Sequence, residues 1–332
     1  MDTVALIVTI AVALGFTYTN GFHDSANAIA TSVSTRALTP RAALAMAAVM
    51  NLAGAFLGSG VAKTVSEGLI ATPHGAKGMG ILFAALLGAV VWNLVTWYFG
   101  LPSSSSHALF GGMVGAALAG GTQVIWSGVV QKVVLPMFIS PVIGLVLGYL
   151  VMVVILWLFR KANPHKAKRG FRIAQTVSAA GMALGHGLQD AQKTMGVVVM
   201  ALVIADVEKA DDAIPLWVKL ACAITMSLGT YAGGWRIMRT LGRRIIELDP
   251  PQGFAAETTS ASVMYVASFL FHAPISTTHV ITASIMGVGS TKRPRAVRWG
   301  VAKNIVMGWF ITMPAAALVA ALAFWLIKLA FG

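Results

Sequence analysis

Long apolar stretches broken by a few dense polar clusters set the pattern of this chain. Val133 to Phe159 and Val301 to Ile327 run past the ~20 residues that cross a bilayer and show no polar/apolar alternation, so they predict transmembrane helices rather than barrel strands. Thr3 to Thr17 is also apolar, with no basic residue before it and no small-residue cleavage site before the first polar cluster. It is expected to stay as a membrane segment and not to be removed as a signal peptide. The pattern predicts an all-α integral membrane protein.

Each kind of polar cluster occurs twice. Asn20-Gly21-Phe22-His23-Asp24-Ser25-Ala26-Asn27 returns in looser form as His186-Gly187-Leu188-Gln189-Asp190-Ala191-Gln192-Lys193, and Pro102-Ser103-Ser104-Ser105-Ser106-His107 returns as Pro274-Ile275-Ser276-Thr277-Thr278-His279. The register extends to Gly58 with Gly234, Thr64 with Thr240, Gly115 with Gly287, Trp126 with Trp299 and Pro141 with Pro314. Two halves follow, residues 1–159 and 173–332. Between them lies a basic linker, 160–172, in which Asn163-Pro164 reads as a breaker and the charge points to the cytoplasm.

Loop charges make the repeat an inverted one, because equivalent loops then lie on opposite sides. Arg36 and Arg41 follow the first cluster, whereas Asp206, Glu208, Asp211 and Asp212 follow its counterpart against a lone Lys209. Gly120 to Trp126 carries no charge, yet its counterpart holds Lys292, Arg293, Arg295 and Arg298. Lys63 to Lys77, with Glu67 between, faces Arg236, Arg239, Arg243 and Arg244. The expectation is roughly five crossings per half with both termini outside. Asp2 to Thr35 exceeds one straight span, which predicts a helix broken at Asn20 to Asn27.

Composition agrees: of 332 residues 57% are hydrophobic and 11% charged, and mean hydropathy is +0.79. The net charge of +13 sits in short connections without aromatic interleaving. It reads as cytoplasmic loop bias and not as a nucleic-acid face. Cys222 is the single cysteine and reads as a packed thiol.

Polar groups at membrane depth are expensive and mark functional sites. Proline with Ser or Thr in front of a small-residue run suits a helix N-terminus, so Ser104, Ser105, Ser106, Ser276, Thr277 and Thr278 offer hydroxyls and free N–H groups to an anion. Asp24 and Asp190 each need a cation, a proton or a donor. Asn20, Asn27, Gln189 and Gln192 place carbonyl oxygens beside them, as a sodium site requires, while His23 is a candidate proton relay. A latch of the carboxylates with Lys193, His23 or an Arg is the structural alternative. Zinc is disfavoured, because no two histidines stand at i and i+4 on one helix and no Cys assists.

With these motifs the sequence resembles the inorganic phosphate transporter (PiT) family, of the bacterial low-affinity permease type. The carrying residues are Gly21-Phe22-His23-Asp24-Ser25-Ala26-Asn27-Ala28-Ile29-Ala30-Thr31, Asp190-Ala191-Gln192-Lys193-Thr194-Met195-Gly196, Pro102 to His107, and Ser276-Thr277-Thr278-His279-Val280. The resemblance implies a homodimeric symporter of phosphate with sodium or protons, without cofactor and without enzymatic activity. It implies phosphate among Ser104, Ser105, Ser106, Ser276, Thr277, Thr278, Asp24, Asn27, Asp190 and Lys193, with sodium at Asp24, Asn27 and Asp190. His23 and Gln189 depart from the pattern of sodium-coupled relatives, which leaves sodium, protons or a metal-phosphate complex with protons open. A sulfate or other oxyanion symporter is the alternative, and an anion channel a further one. Phosphate is favoured because it keeps a proton near neutral pH that a carboxylate can accept, and sulfate does not.

Overall fold

The computed structural model describes residues 3–71, 75–209, 213–292 and 296–331. Asp211, Asp212, Arg293 and Arg295 of the charge comparison lie outside them. The described residues are almost entirely helical, and their one bridge pairs Ile70 with Val124. In chain order the helices are α1 (Thr3–Ser34), α2 (Pro40–Gly54), α3 (Gly60–Glu67), α4 (Gly75–Phe99), α5 (Ser105–Ala119), α6 (Trp126–Gly128), α7 (Leu135–Leu158), α8 (Pro164–Ile204), α9 (Leu216–Ala232), α10 (Trp235–Arg239), α11 (Pro250–Phe269), α12 (Thr277–Ser290) and α13 (Trp299–Phe331). A π-helical turn, Val129–Val134, joins α6 to α7, and a second, Thr240–Arg244, extends α10. Four helices, Thr3–Ser34, Gly75–Phe99, Trp126–Leu158 and Trp299–Ala330, are long and apolar enough to cross a membrane.

The expected break in the first helix is absent: α1 runs unbroken for 32 residues. Asn20, His23, Asp24 and Asn27 are spaced i, i+3, i+4, i+7, so they share one helical face. Their side chains bond to other helices instead of competing with their own backbone. Part of the expected linker is also helical, since α8 begins at Pro164 and continues for 41 residues. Asn163 caps it through its side chain to the His165 and Lys166 N–H groups and Pro164 fills the first turn, so the pair starts a helix.

Contacts between the halves are reciprocal. A Cβ on Gly21 would lie 2.6 Å from the Met226 carbonyl oxygen, and one on Gly187 2.2 Å from that of Asn51. Gly54 likewise abuts Leu184 and Gly229 abuts Tyr18. So α1 closes on α9 as α8 closes on α2, and small residues let the backbones touch. The last helices are exchanged the same way: Gly115 of α5 meets Ala317 of α13, and Gly287 of α12 meets Leu145 of α7.

α1 and α8 run antiparallel. The Thr35 hydroxyl donates to Gln175 Oε1 at 2.7 Å near one end, Asp24 faces His186 and Asp190 in the middle, and Ala5, Leu6 and Ala205 share a packed cluster at the other end. Two apolar cores flank the middle, one around Phe16, Leu82, Phe110 and Met195, the other around Ile29, Met182, Ile237 and Ile281. Between them the interior is polar, while Val142, Leu150, Trp157, Leu318 and Leu326 lie exposed on the outside. That inversion of the soluble pattern fits hydrocarbon surroundings.

Candidate functional site

The two hydroxyl-rich clusters open helices at this level. α5 begins at Ser105 with Ser104 as its cap, whose Oγ accepts from the His107 N–H at 3.2 Å. α12 begins at Thr277 with Ser276 as cap, accepting from the His279 N–H at 3.3 Å. Capping occupies Ser104 and Ser276 with their own helices and turns the next two hydroxyls of each cluster toward α1 and α8.

On the α1 side Asp24 is buried. Its Oδ2 accepts from Ser105 Oγ at 2.5 Å, and Oδ1 accepts from Thr278 Oγ1 at 3.3 Å and lies 2.7 Å from His23 Nδ1. His23 Nε2 is 3.0 Å from Thr96 Oγ1, so α4 fixes the ring. Asn20 Oδ1 also accepts from Ser105, at 2.8 Å. Asn27 donates to Thr277 and Thr278 at 3.3 and 2.8 Å, and its Oδ1 has no partner among the described residues despite full burial.

On the α8 side Lys193 Nζ donates to Asp190 Oδ1 at 2.5 Å, to Ser106 Oγ at 2.6 Å and to the Ile275 carbonyl at 2.7 Å. All three donors of the ammonium are thereby used. Thr277 Oγ1 donates to Asp190 Oδ2 at 3.4 Å. His186 Nε2 lies 3.0 Å from the same oxygen but is not aligned to donate a hydrogen bond, and its Nδ1 is 3.1 Å from Asn51 Oδ1.

The structure therefore brings together Asn20, His23, Asp24, Asn27, Ser105, Ser106, Asp190, Lys193, Thr277 and Thr278. It does not bring in the two glutamines by any hydrogen bond. Gln192 Oε1 accepts from the Val61 and Ala62 N–H groups at 3.0 and 3.4 Å, capping α3. Gln189 Nε2 donates to Ser268 Oγ and to the Ala273 carbonyl, with Oε1 unpartnered.

One further residue joins the centre: ligand atoms of Asp24, His186 and Asp190 lie within 4.8 Å of one another, close enough to share a cation. His186 was visible in sequence as a neighbour of the second cluster, four residues before Asp190, where a helix puts both on one face. A separate buried carboxylate, Glu257 on α11, gave no such signal. It accepts from Thr31 and Ser178 at 2.5 Å each and from Gln175 at 3.1 Å.

The chemistry of the centre is that of a buried cradle rich in hydrogen-bond donors. Two carboxylates and one ammonium leave one negative charge when the histidines are neutral. Four hydroxyls, two helix N-termini and the ammonium surround it, which is how an oxyanion is held. The carboxylate oxygens of Asp24 and Asp190 are of the type a hard cation takes, whereas adding an anion without one would leave unpaired charge in a low-dielectric interior.

Residues 20–320 match the model of the phosphate transporter family. The chain belongs to the phosphate transporter family. It is 44% identical over 333 residues to a "Probable low-affinity inorganic phosphate transporter" of Bacillus subtilis (strain 168), covering 99% of each chain. A protein of the same description from Rhizobium meliloti (strain 1021) is 48% identical over 326 residues, covering 96% of this chain and 95% of that one. Among solved structures, "The sodium-dependent phosphate transporter" superposes with a TM-score of 0.90 at 26% identity, over 98% of this chain and 100% of that one. The family's proteins are transporters and not enzymes. Membership together with the apolar helices makes this a membrane protein.

Proposed function

We propose that this chain imports inorganic phosphate across the bacterial plasma membrane by symport with a cation. The observation that carries the reading is the meeting of Asp24, Asp190 and Lys193 with Ser105, Ser106, Thr277 and Thr278 in one buried centre. Phosphate takes the hydroxyls and Lys193 and returns a proton-bearing oxygen to a carboxylate. Sodium or a proton enters between Asp24 and Asp190, with Asn27 Oδ1 as a further oxygen ligand. Binding of the cation cancels the net negative charge, which lets the anion dock. Relatives described as inorganic phosphate transporters, and a solved neighbour described as sodium-dependent, support substrate and coupling.

The architecture is two inverted repeats, 1–159 and 173–332, joined by the basic stretch 160–172. Support comes from the reciprocal contacts and the antiparallel run of α1 against α8. Arg36 and Arg41, the start of α8 and the arginines after α10 share one end, since Thr35 bonds Gln175 and Ser34 bonds the Gly242 carbonyl. That end faces the cytoplasm and both termini lie outside. α5 and α12 are half-spans that meet from opposite leaflets, and the loaded centre changes side as one repeat-built body rocks against the rest. A homodimer is the assembly that the resemblance implies. Uptake of labelled phosphate by proteoliposomes tests the substrate: phosphate is taken up against excess sulfate, and efficient competition by sulfate overturns the assignment.

A further inference from the structure

The repeat is broken chemically beside one of the helix tips. In the register that pairs Thr64 with Thr240, Arg236 stands opposite Gly60, Arg239 opposite Lys63 and Arg244 opposite Gly68. The threonines do equivalent work: Thr64 Oγ1 donates to the His272 carbonyl and Thr240 Oγ1 to that of Gly100, both at 2.9 Å, so each short helix grips the chain just before the opposite half's hydroxyl cluster. Arg239 and Arg244 have no part in that shared task. Lys63, their one basic counterpart, is 4.0 Å from Glu67, whereas neither Arg239 nor Arg244 has an ion-pair partner among the described residues.

Arg236, Arg239, Arg244 and Thr240 line a cavity of about 320 Å³ with Phe99 and Trp235, and among the described residues no acidic side chain lines it. Arg236 is held in place: it donates to the Tyr98 carbonyl, and its guanidinium lies 4.9 Å from the Tyr98 ring centroid and 5.5 Å from that of Trp97. Outside, Tyr98, Phe99, Tyr231 and Trp235 are exposed, the aromatic girdle of a membrane interface. Orientation bias accounts for arginines on this side of the membrane. It does not account for three of them converging on one concave wall.

We infer that this cavity is a second anion site, which binds the phosphate group of a molecule other than the one proposed to sit among Ser105, Ser106, Thr277, Thr278 and Lys193. Guanidinium groups bind phosphate oxygens in pairs of parallel hydrogen bonds, and basic pockets at the cytoplasmic interface hold anionic headgroups. Two sources carry this chemistry: an anionic phospholipid, for which the aromatic rim is suited, and free inorganic phosphate. Occupancy bears on the neighbouring tip, because Arg236 and Thr240 hold the carbonyls of Tyr98 and Gly100, which lead into Pro102 and Ser103.

The test uses the full-length protein purified in detergent and stripped of lipid. Phosphatidylglycerol is titrated and retained lipid counted by native mass spectrometry, with phosphatidylcholine as control, and bound inorganic phosphate is counted separately by equilibrium dialysis. Wild type retains phosphatidylglycerol in preference to phosphatidylcholine, and Arg239→Gln/Arg244→Gln loses at least about tenfold in that affinity, the effect of one to two charged hydrogen bonds. Arg239→Lys/Arg244→Lys keeps the charge and loses less, which separates anion recognition from misfolding, and unfolding temperature in lipid-free detergent checks both variants. If dialysis shows two phosphates on wild type and one on the glutamine variant, the source is the free ion and the site stands. Equal retention of phosphatidylglycerol and equal phosphate counts in wild type and a folded glutamine variant overturn it.

Discussion

Lys193 stands to Ser106 as Asn27 stands to Thr278. Each follows the buried aspartate of its half by three residues and donates to a hydroxyl of the opposite half's cluster, at 2.6 Å from Lys193 and 2.8 Å from Asn27. The geometry is repeated and the charge is not: one half contributes an ammonium, the other an amide with an orphaned oxygen. In the proposed mechanism that asymmetry gives each half a different task, anion charge compensation at Lys193 and cation ligation at Asn27.

Replacing Lys193→Asn makes the halves alike and leaves Asp190 buried without its ammonium. Breaking a buried pair from one side costs about 3–5 kcal/mol, so the variant's unfolding temperature in detergent falls sharply. Lys193→Asn/Asp190→Asn removes both charges, recovers most of that loss and stays inactive in uptake. A single variant as stable as wild type contradicts the pairing.

Asp24→Asn tests the carboxylate itself. An amide oxygen still accepts from Ser105, so the protein folds, but the charge that attracts the cation is gone. Coupled uptake falls by at least about tenfold, the scale set by one charged interaction. Normal coupled uptake by a folded variant removes Asp24 from the mechanism.

The Gln192 cap gives a prediction of the opposite kind. Gln192 holds the start of α3, so Gln192→Ala costs about 1 kcal/mol in stability, as loss of a helix cap does. The cation concentration giving half-maximal uptake stays unchanged. A shift in that concentration without a stability loss returns Gln192 to the cation site.

Backbone contact between the halves predicts where alanine is not tolerated. Gly21→Ala and Gly187→Ala each drive a Cβ into a carbonyl, costing about 1–3 kcal/mol, and the reciprocal geometry makes the two costs similar. Gly15 has nothing within 4 Å of its Cβ position, so Gly15→Ala is neutral or stabilising. Thermal unfolding of the three variants checks all of this.

What the sequence made legible was whatever depends on neighbours along the chain. Pro102 and Pro274 with the hydroxyls after them announced the starts of α5 and α12, and the duplicated clusters announced the pairing of α1 with α8. Local polarity misled where tertiary contacts decide: Asn20 to Asn27 reads as a break in hydropathy, yet the side chains bond to partners on α4, α5 and α12 and the helix stays whole. Asn163-Pro164 reads equally as a stop or a start, and only the Asn163 cap resolves it. Asn51 beside His186 and Thr31 beside Glu257 are 135 and 226 residues apart in the chain, so no spacing rule could join them.

In the proposed mechanism phosphate crosses only with a cation bound between Asp24 and Asp190, and initial phosphate uptake into proteoliposomes under separately imposed sodium and proton gradients, for wild type and Asp24→Asn, tests this. Uptake is driven by at least one of the two gradients in wild type and by neither in the variant. Saturable uptake in wild type that is indifferent to both gradients, or a variant that remains gradient-driven, contradicts it.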